Sequence, residues 1–428
     1  MTTPLALAPH ALSGTLEAIS SKSDVHRLLI CASLCDTPSY IRFHAALSVD
    51  MCATVDVLRA MGADIVIEEN EALGGRITVR RPIRRHTQAC VLDCRESGST
   101  ARFLLPLASL FATGSVMTGR GRLPERPFDE QCRALEAMGA DFSSHTLPIR
   151  FEKAPLPQGE FALRGDISSQ YITGLLFLLP LCESTGIRLT SPLESAGYVR
   201  LTADAMCRFG VTVKQEKDRL WTTGTYHAPD SEIWAEGDWS NAAFWLAAAT
   251  PGHPITLTGL DMHSSQPDRA VVSFLRAMGM EIKESENGLT ASVQDTTKGI
   301  SFDASGCPDL VPILSVRASV SQGETIISGT RRLRIKESDR VDAICRMISC
   351  LGGSIRADED HIYITGKPSL SGGVVDSMGD HRIAMAASIA SVFCTAPVIL
   401  HGAEAVSKSY PQFFEHFEQL KQSTGGTV

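Results

Sequence analysis

Residues 96–109 read ESGSTARFLLPLAS, and the same phrase is written five more times along the chain. A short polar cluster opens a run of small and apolar residues. The other copies are SKSDVHRLLICAS at 21–33, DISSQYITGLLFLLPL at 166–181, GDWSNAAFWLAAA at 237–249, CPDLVPILSVRAS at 307–319 and GDHRIAMAASIAS at 379–391. With Ser23, Ser99, Ser169, Ser240, Asp309 and Asp380 as markers, the spacings are 76, 70, 71, 69 and 71 residues. Self-similarity at a steady period marks a repeat architecture. Each copy predicts the capped start of a buried helix. Helix starts attract anions because their first N–H groups have no partner within the helix.

A second phrase alternates with the first. VLRAMGADIVI (57–67), ALEAMGADF (134–142), AMCRFGVTV (205–213), FLRAMGMEI (274–282) and MISCLGGSI (347–355) each run from a helix end through a glycine into a strand. Gly62, Gly139, Gly210, Gly279 and Gly352 stand where a helix needs a left-handed terminal residue. An alternating strand follows each, at 76–81, 149–153, 219–224, 289–293 and 361–366, so each pair predicts a hairpin. The unit is helix, strand, helix, glycine, hairpin. The sixth copy has its helix but ends in the amphipathic segment YPQFFEHFEQL, and the strand-like LEAI at 16–19 is expected to complete it. That arrangement predicts a middle domain, 21–236, and a discontinuous one made of 1–20 and 237–428.

Composition sets outer limits. The 428 residues are 43% hydrophobic and 21% charged, with a formal charge of −8, which is ordinary globular composition and argues against broad nucleic-acid binding. Twelve cysteines are scattered without a C-x-x-C pair, which points to reduced thiols in a cytoplasm. The N-terminal residues carry no secretory signal pattern, and no apolar run reaches the roughly 18 residues of a membrane span. Histidines do not fall at metal-ligand spacing, and neither a phosphate-loop motif nor a dinucleotide fingerprint is present.

Charge at the helix starts is the chemical signal. Lys22, Arg27, Arg102, Asp309, Asp380, His381 and Arg382 all sit at or near them. A cation at a helix start opposes the macrodipole, so Lys22 and Arg382 call for a compensating anion. One such residue is more often a solvated surface charge; several at equivalent positions favour a shared anion site. Ser23, Ser168 and Ser169 are also simply good caps. Arg126 is held extended by Pro127. Lys336 and Arg340, in the charged run RIKESDR at 334–340, are expected one turn apart at an exposed helix start, with Glu337 beside them. Ser195 and Tyr198 are expected on a loop, and Lys408 ahead of the closing helix.

These phrases resemble one family closely, the 3-phosphoshikimate 1-carboxyvinyltransferases, or 5-enolpyruvylshikimate-3-phosphate synthases. SKSDVHR at 21–27, SGSTAR at 97–102, ERP at 125–127, SSQY at 168–171, SAGY at 195–198, EGDWS at 236–240, PD at 308–309, RIKESDR at 334–340, GDHR at 379–382 and SKSYP at 407–411 match in the family's order over nearly the whole chain. The resemblance implies an α/β fold of two similar globular domains. Each holds three βαβαββ units, forming an inverse α/β barrel-like pair around a cleft. It implies enolpyruvyl transfer from phosphoenolpyruvate to the 5-hydroxyl of shikimate 3-phosphate, by addition and elimination, without cofactor or metal. It also implies a cytoplasmic monomer with small-molecule partners and neither nucleic acid nor membrane.

Carried over by matching position, the resemblance assigns Ser23, Arg27, Ser168, Ser169, Ser195 and Tyr198 to shikimate 3-phosphate, with Asp309 and Lys336 on its hydroxyls. Gly98, Arg126, Arg340, Arg382 and Lys408 would surround phosphoenolpyruvate, and Lys22 and Gln170 would reach both substrates. Asp309 and Glu337 are the acid/base candidates, with Lys22 assisting. Two multiply charged anions need a cluster of fixed cations, and arginine grips carboxylate and phosphate with paired N–H groups. Intact Gly98 implies sensitivity to glyphosate. The chain departs from the family pattern at Glu96, Gly197 and Arg332. The sister transferase acting on UDP-N-acetylglucosamine usually carries a reactive cysteine or aspartate before the position of Arg126, where this chain has Gly119–Leu123, and an asparagine where Ser23 stands. The remaining alternative is a catalytically silent anion-binding module on the same scaffold.

Overall fold

All six polar clusters run into helices: Lys22–Ala32, Gly98–Phe111, Ser169–Leu178, Trp239–Ala248, Val311–Ser319 and His381–Ala390. The computed structural model of the chain describes residues 3–70, 74–85, 88–156, 158–183 and 185–422. Every residue of the last three helices is buried; most of their side chains are small or apolar, and Asn241, Arg317, His381 and Arg382 are buried with them. The chain divides into two compact units, Ser20–Ala235 and a discontinuous one of Met1–Ile19 with Glu236–Val428. Residues 1–2 and 423–428 of the latter lie outside the described residues.

Each repeat builds one small sheet around its buried helix. In the second, Val91–Asp93 leads into the helix and pairs in parallel with Val116–Thr118. Ile149–Lys153 then pairs antiparallel with Val116–Thr118 and with Asp141–Phe142. A parallel pair needs a crossover, which the helix supplies; a hairpin needs only a turn. The predicted glycines Gly62, Gly139, Gly210, Gly279 and Gly352 all have positive φ. At Gly139 and Gly279 an added Cβ would meet nothing, so the backbone conformation rather than space demands glycine.

The N-terminal strands pair otherwise than expected. Gly14–Glu17 lies parallel to Ile255–Thr258, in the sheet of the fourth copy. The sixth copy already has its leading parallel pair, Gly373–Asp376 with Val398–His401. What it lacks is an antiparallel strand, and Leu5–Leu7 supplies one against Val398–His401. The first copy, whose own leading strand is thus used elsewhere, takes Ile233–Trp234 alongside Ser39–Phe43.

Candidate active site

In the Ser20–Ala235 unit all three repeat helices are capped by serine. Ser21 accepts from the N–H of Asp24, Ser97 from that of Thr100, and Ser168 from that of Gln170. In the other unit two starts have acidic caps, Asp238 accepting from the Asn241 N–H and Asp380 from that of Arg382, whereas Val311–Ser319, entered through the turn Pro308–Leu310, lacks the side-chain cap its polar cluster predicts. A neutral cap leaves the positive end of the helix for an external anion. An aspartate cap brings its own anion and then gathers cations. The five capped starts are therefore alike as folding devices and different as chemistry.

Within Ser20–Ala235, Lys22 and Ser23 occupy the first turn of their helix. The compensating anion for Lys22 is the protein's own: Nζ donates to Oδ2 of Asp50 at 2.9 Å. Arg27 is buried, and its guanidinium holds neighbouring backbone and side chains. It donates to the Ser23 carbonyl at 2.6 Å, to Oγ1 of Thr202 at 2.9 Å and to the Tyr198 carbonyl at 3.2 Å, and it lies over the Phe103 ring. Burial lowers its pKa to about 10 against the opposing pull of Asp24. Tyr198 is not on a loop but in a helix, while Ser195 is the turn residue just before it. Ser195, at φ 54°, opens the helix Ala196–Cys207, and Arg27 pins the first turn of that helix through the Tyr198 carbonyl.

The Gly98–Phe111 and Ser169–Leu178 helices touch closely because Gly174 leaves room: a Cβ there would lie 2.3 Å from the Arg102 carbonyl oxygen. This contact aligns a polar chain. Arg102 donates to Oε1 of Gln170 at 2.8 Å, and Nε2 of Gln170 donates to Oγ of Ser99 at 3.0 Å. Arg126 is extended, as its proline neighbour predicts, and is buried with its guanidinium over Gly98. Of the departures, Glu96 sets its carboxylate against Gly121, where a Cβ would meet Oε2 at 2.5 Å.

In the discontinuous unit the cluster centres on Arg340. Its Nε donates to Oδ2 of Asp380 at 2.8 Å, Nη1 to Oδ1 of Asp309 at 2.7 Å and Nη2 to Oε2 of Glu337 at 2.6 Å. Arg382 donates to the other Asp309 oxygen at 2.8 Å, so its compensating anion is also internal. Arg340 is buried rather than exposed, and Lys336 does not share its helix. Asp339 caps the helix Arg340–Cys350, so Lys336 lies before the cap, in extended backbone. Lys408 donates to the Gly379 carbonyl at 2.7 Å.

The cluster separates two carboxyl groups. Burial opposes the charge on Asp309, but Arg382, Lys336 and Arg340 outweigh it and hold its pKa well below the usual carboxylate range. Burial pushes Asp268 up to about 7, and the negative charge of Asp309 adds to that. Asp309 is thus ionised beside a carboxyl that keeps its proton near neutrality. Burial also lowers Lys336 to about 8, with Arg340 and Arg332 reinforcing it and Asp309 opposing. Sequence reasoning missed Asp268 and Asp50. Both look locally like solvated acids, and nothing in QPDRA or SVDMCA signals burial. Among the described residues no group of three His, Cys, Asp or Glu is placed to hold a metal. No described helix is long and apolar enough to cross a membrane.

Known proteins bear on this arrangement. The family model described as EPSP synthase (3-phosphoshikimate 1-carboxyvinyltransferase) matches residues 7–417. A 3-phosphoshikimate 1-carboxyvinyltransferase from Clostridium kluyveri is 40% identical over 422 residues, covering 97% of each chain. One from Clostridium botulinum is 40% identical over 420 residues, covering 96% of each. Among solved structures, an EPSP synthase from Acinetobacter baumannii superposes with a TM-score of 0.80 at 25% identity, covering 98% of both chains. The enolpyruvyl transferase NikO from Streptomyces tendae shares the fold, with a TM-score of 0.76 at 16% identity and 98% coverage of both chains.

Proposed function

The chain belongs to the EPSP synthase (3-phosphoshikimate 1-carboxyvinyltransferase) family, and on that premise we propose how its residues divide the reaction. The enzyme transfers the enolpyruvyl group of phosphoenolpyruvate to the 5-hydroxyl of shikimate 3-phosphate, in the shikimate pathway. In the addition step the 5-hydroxyl oxygen bonds to C2 of phosphoenolpyruvate, C3 gains a proton and the hydroxyl proton leaves. In the elimination step C3 loses a proton and the C2–O bond to phosphate breaks.

The observation that carries the assignment is the clamp on Asp309, whose two oxygens are held by Arg340 and Arg382. Phosphoenolpyruvate offers a carboxylate and a phosphate, the two groups a guanidinium grips best. Each contact it makes with Arg340 or Arg382 takes a partner from Asp309. The pKa of Asp309 then returns toward the ordinary range, and Asp309 becomes able to accept the 5-hydroxyl proton once phosphoenolpyruvate is bound. Glu337, on the same guanidinium, is released by the same exchange, takes up a proton from solvent and delivers it to C3. Lys22, Gly98, Arg126, Gln170 and Lys408 complete the surroundings of phosphoenolpyruvate.

Shikimate 3-phosphate falls to the serine-capped starts: Lys22, Ser23, Ser168, Ser169 and Gln170 offer N–H groups, hydroxyls and a charge without a competing carboxylate cap. Ser195, Tyr198 and Arg27 extend that set, and Asp309 and Lys336 take the ring hydroxyls. This makes 21–236 the acceptor-binding domain, and 1–20 with 237–428 the acid/base domain. We also place the enzyme in the cytoplasm as a monomer; its twelve unbridged cysteines support a reducing compartment. The test is phosphate release with phosphoenolpyruvate and either acceptor. Release with shikimate 3-phosphate and none with UDP-N-acetylglucosamine is expected. The reverse pattern, or none with either, overturns the reading.

A further inference from the structure

Four side chains form a buried hydroxyl chain through the Ser20–Ala235 unit. Nδ1 of His26 lies 2.7 Å from Oγ1 of Thr54, which lies 2.7 Å from Oγ1 of Thr100, which donates to Oγ of Ser97 at 2.7 Å. All four residues are fully buried. They come from three helices: His26 from Lys22–Ala32, Thr54 from Val49–Ala60, and Thr100 from Gly98–Phe111, which Ser97 caps. We propose that this chain is a positioning network that fixes the helix start bearing Gly98 and Ser99 relative to the one bearing Lys22 and Ser23. The proposal rests on the reading above, in which both starts face phosphoenolpyruvate.

Val49–Ala60 acts as the bracket. Asp50 holds the Lys22 ammonium through its side chain, and its carbonyl oxygen lies 3.4 Å from Oγ1 of Thr100. Thr54, one turn on, joins His26 to Thr100. A shift of either helix start therefore strains hydrogen bonds between fully buried groups, where an unmade bond is costly.

Counting protons fixes the direction of the chain. Ser97 already accepts the Thr100 N–H, and the Thr100 hydroxyl donates to it as well. With its one proton used there, Thr100 accepts from Thr54. Thr54, with its own proton spent, accepts from His26. His26 is thereby the neutral Nδ1–H tautomer, with Nε2 as a buried lone pair that has no hydrogen-bond partner. An imidazolium would point a second N–H at nothing. Burial, with the charges of Lys22 and Arg27, lowers the His26 pKa well below its ordinary value, in keeping with a ring that stays neutral. The Phe103 ring closes the apolar side of the imidazole.

Two measurements test this. In ligand-free wild-type protein, long-range 1H–15N correlation of the His26 ring, assigned by its loss in His26→Gln, should show the neutral Nδ1–H tautomer from pH 8 down to pH 5. An Nε2–H tautomer or an imidazolium at pH 7 overturns the proposal. In kinetics, Thr54→Val and Thr100→Val should each raise KM for phosphoenolpyruvate roughly tenfold. Thr54→Ser keeps the hydroxyl and should restore the wild-type value. Folded variants with unchanged KM for phosphoenolpyruvate overturn the network. The Gly98→Ala variant separates the two readings. If it too leaves that KM unchanged, the placement of phosphoenolpyruvate has failed; if it raises it while Thr54→Val does not, the network alone has failed.

Discussion

Gly98→Ala is the perturbation whose consequence the structure specifies most closely. A Cβ on residue 98 would sit 2.6 Å from Nη1 of Arg126, 3.0 Å from Cζ and 3.2 Å from Nη2. Ordinary contact begins near 3.4 Å, so the guanidinium must retreat by about 1 Å. It can do so, because the clash is with the far end of a long side chain and not with backbone. Gly98 opens its helix without a positive φ, so alanine suits the backbone there and folding stability should hold or rise slightly. The cost falls on whatever Arg126 binds. A hydrogen bond to a charged group contributes about 1.5–3 kcal/mol, so displacing the guanidinium should raise KM for phosphoenolpyruvate by about 10- to 150-fold. KM for shikimate 3-phosphate should change little. Glyphosate sensitivity, if glyphosate occupies the same place, should fall in parallel. Steady-state kinetics with each substrate varied in turn, together with a melting curve, reads all of this. A well-folded Gly98→Ala enzyme with KM for phosphoenolpyruvate within twofold of wild type would refute the placement of Arg126.

Glu337→Gln keeps the shape of the side chain and removes the transferable proton, so kcat should drop about 100-fold or more while KM for shikimate 3-phosphate stays within a few-fold. Because the Asp268 pKa is raised to about 7 in the folded protein, the folded state binds the extra proton and the unfolded state does not between about pH 4 and 7. Stability from this group is therefore greatest at low pH and is lost as pH rises to 7. Melting temperatures from pH 5 to 8 should show that decline, and Asp268→Asn should flatten it; an unchanged slope would count against the burial-raised pKa of Asp268. Arg27→Lys cannot reproduce the three-way grip on Ser23, Thr202 and Tyr198, and should cost about 2–4 kcal/mol by denaturant titration and weaken shikimate 3-phosphate binding. Equal stability and binding would show that a point charge suffices there.

How far the sequence could be read differed by element. The helix starts and the helix–glycine–strand phrases were legible because capping, left-handed glycine and alternation act over a few residues. The partner of Gly14–Glu17 was not, since two strand segments, at 5–7 and 14–17, compete for two sheets, and the direction of pairing decides between them. Lys336 and Arg340 were misplaced for a local reason: the helical spacing was counted through Asp339, which caps the helix and so ends the count. The cations at the helix starts were visible, but their carboxylate partners were not. Asp50 is 28 residues from Lys22, and Asp309 is 73 from Arg382. Asp268 and Thr54 carry no local mark at all, and only packing gives them roles.

The central claim is that C3 of phosphoenolpyruvate is protonated and later deprotonated, which makes it transiently a methyl group. Turnover in deuterium oxide tests it directly by mass spectrometry of the enolpyruvyl product. That methyl would hold two substrate hydrogens and one from solvent, and loss of any one leaves a methylene that partly retains the label. Deuterium should appear at C3 in the wild-type product, and its formation rate should fall steeply in Glu337→Gln. A product formed at full rate with no solvent deuterium at C3 would contradict the central claim.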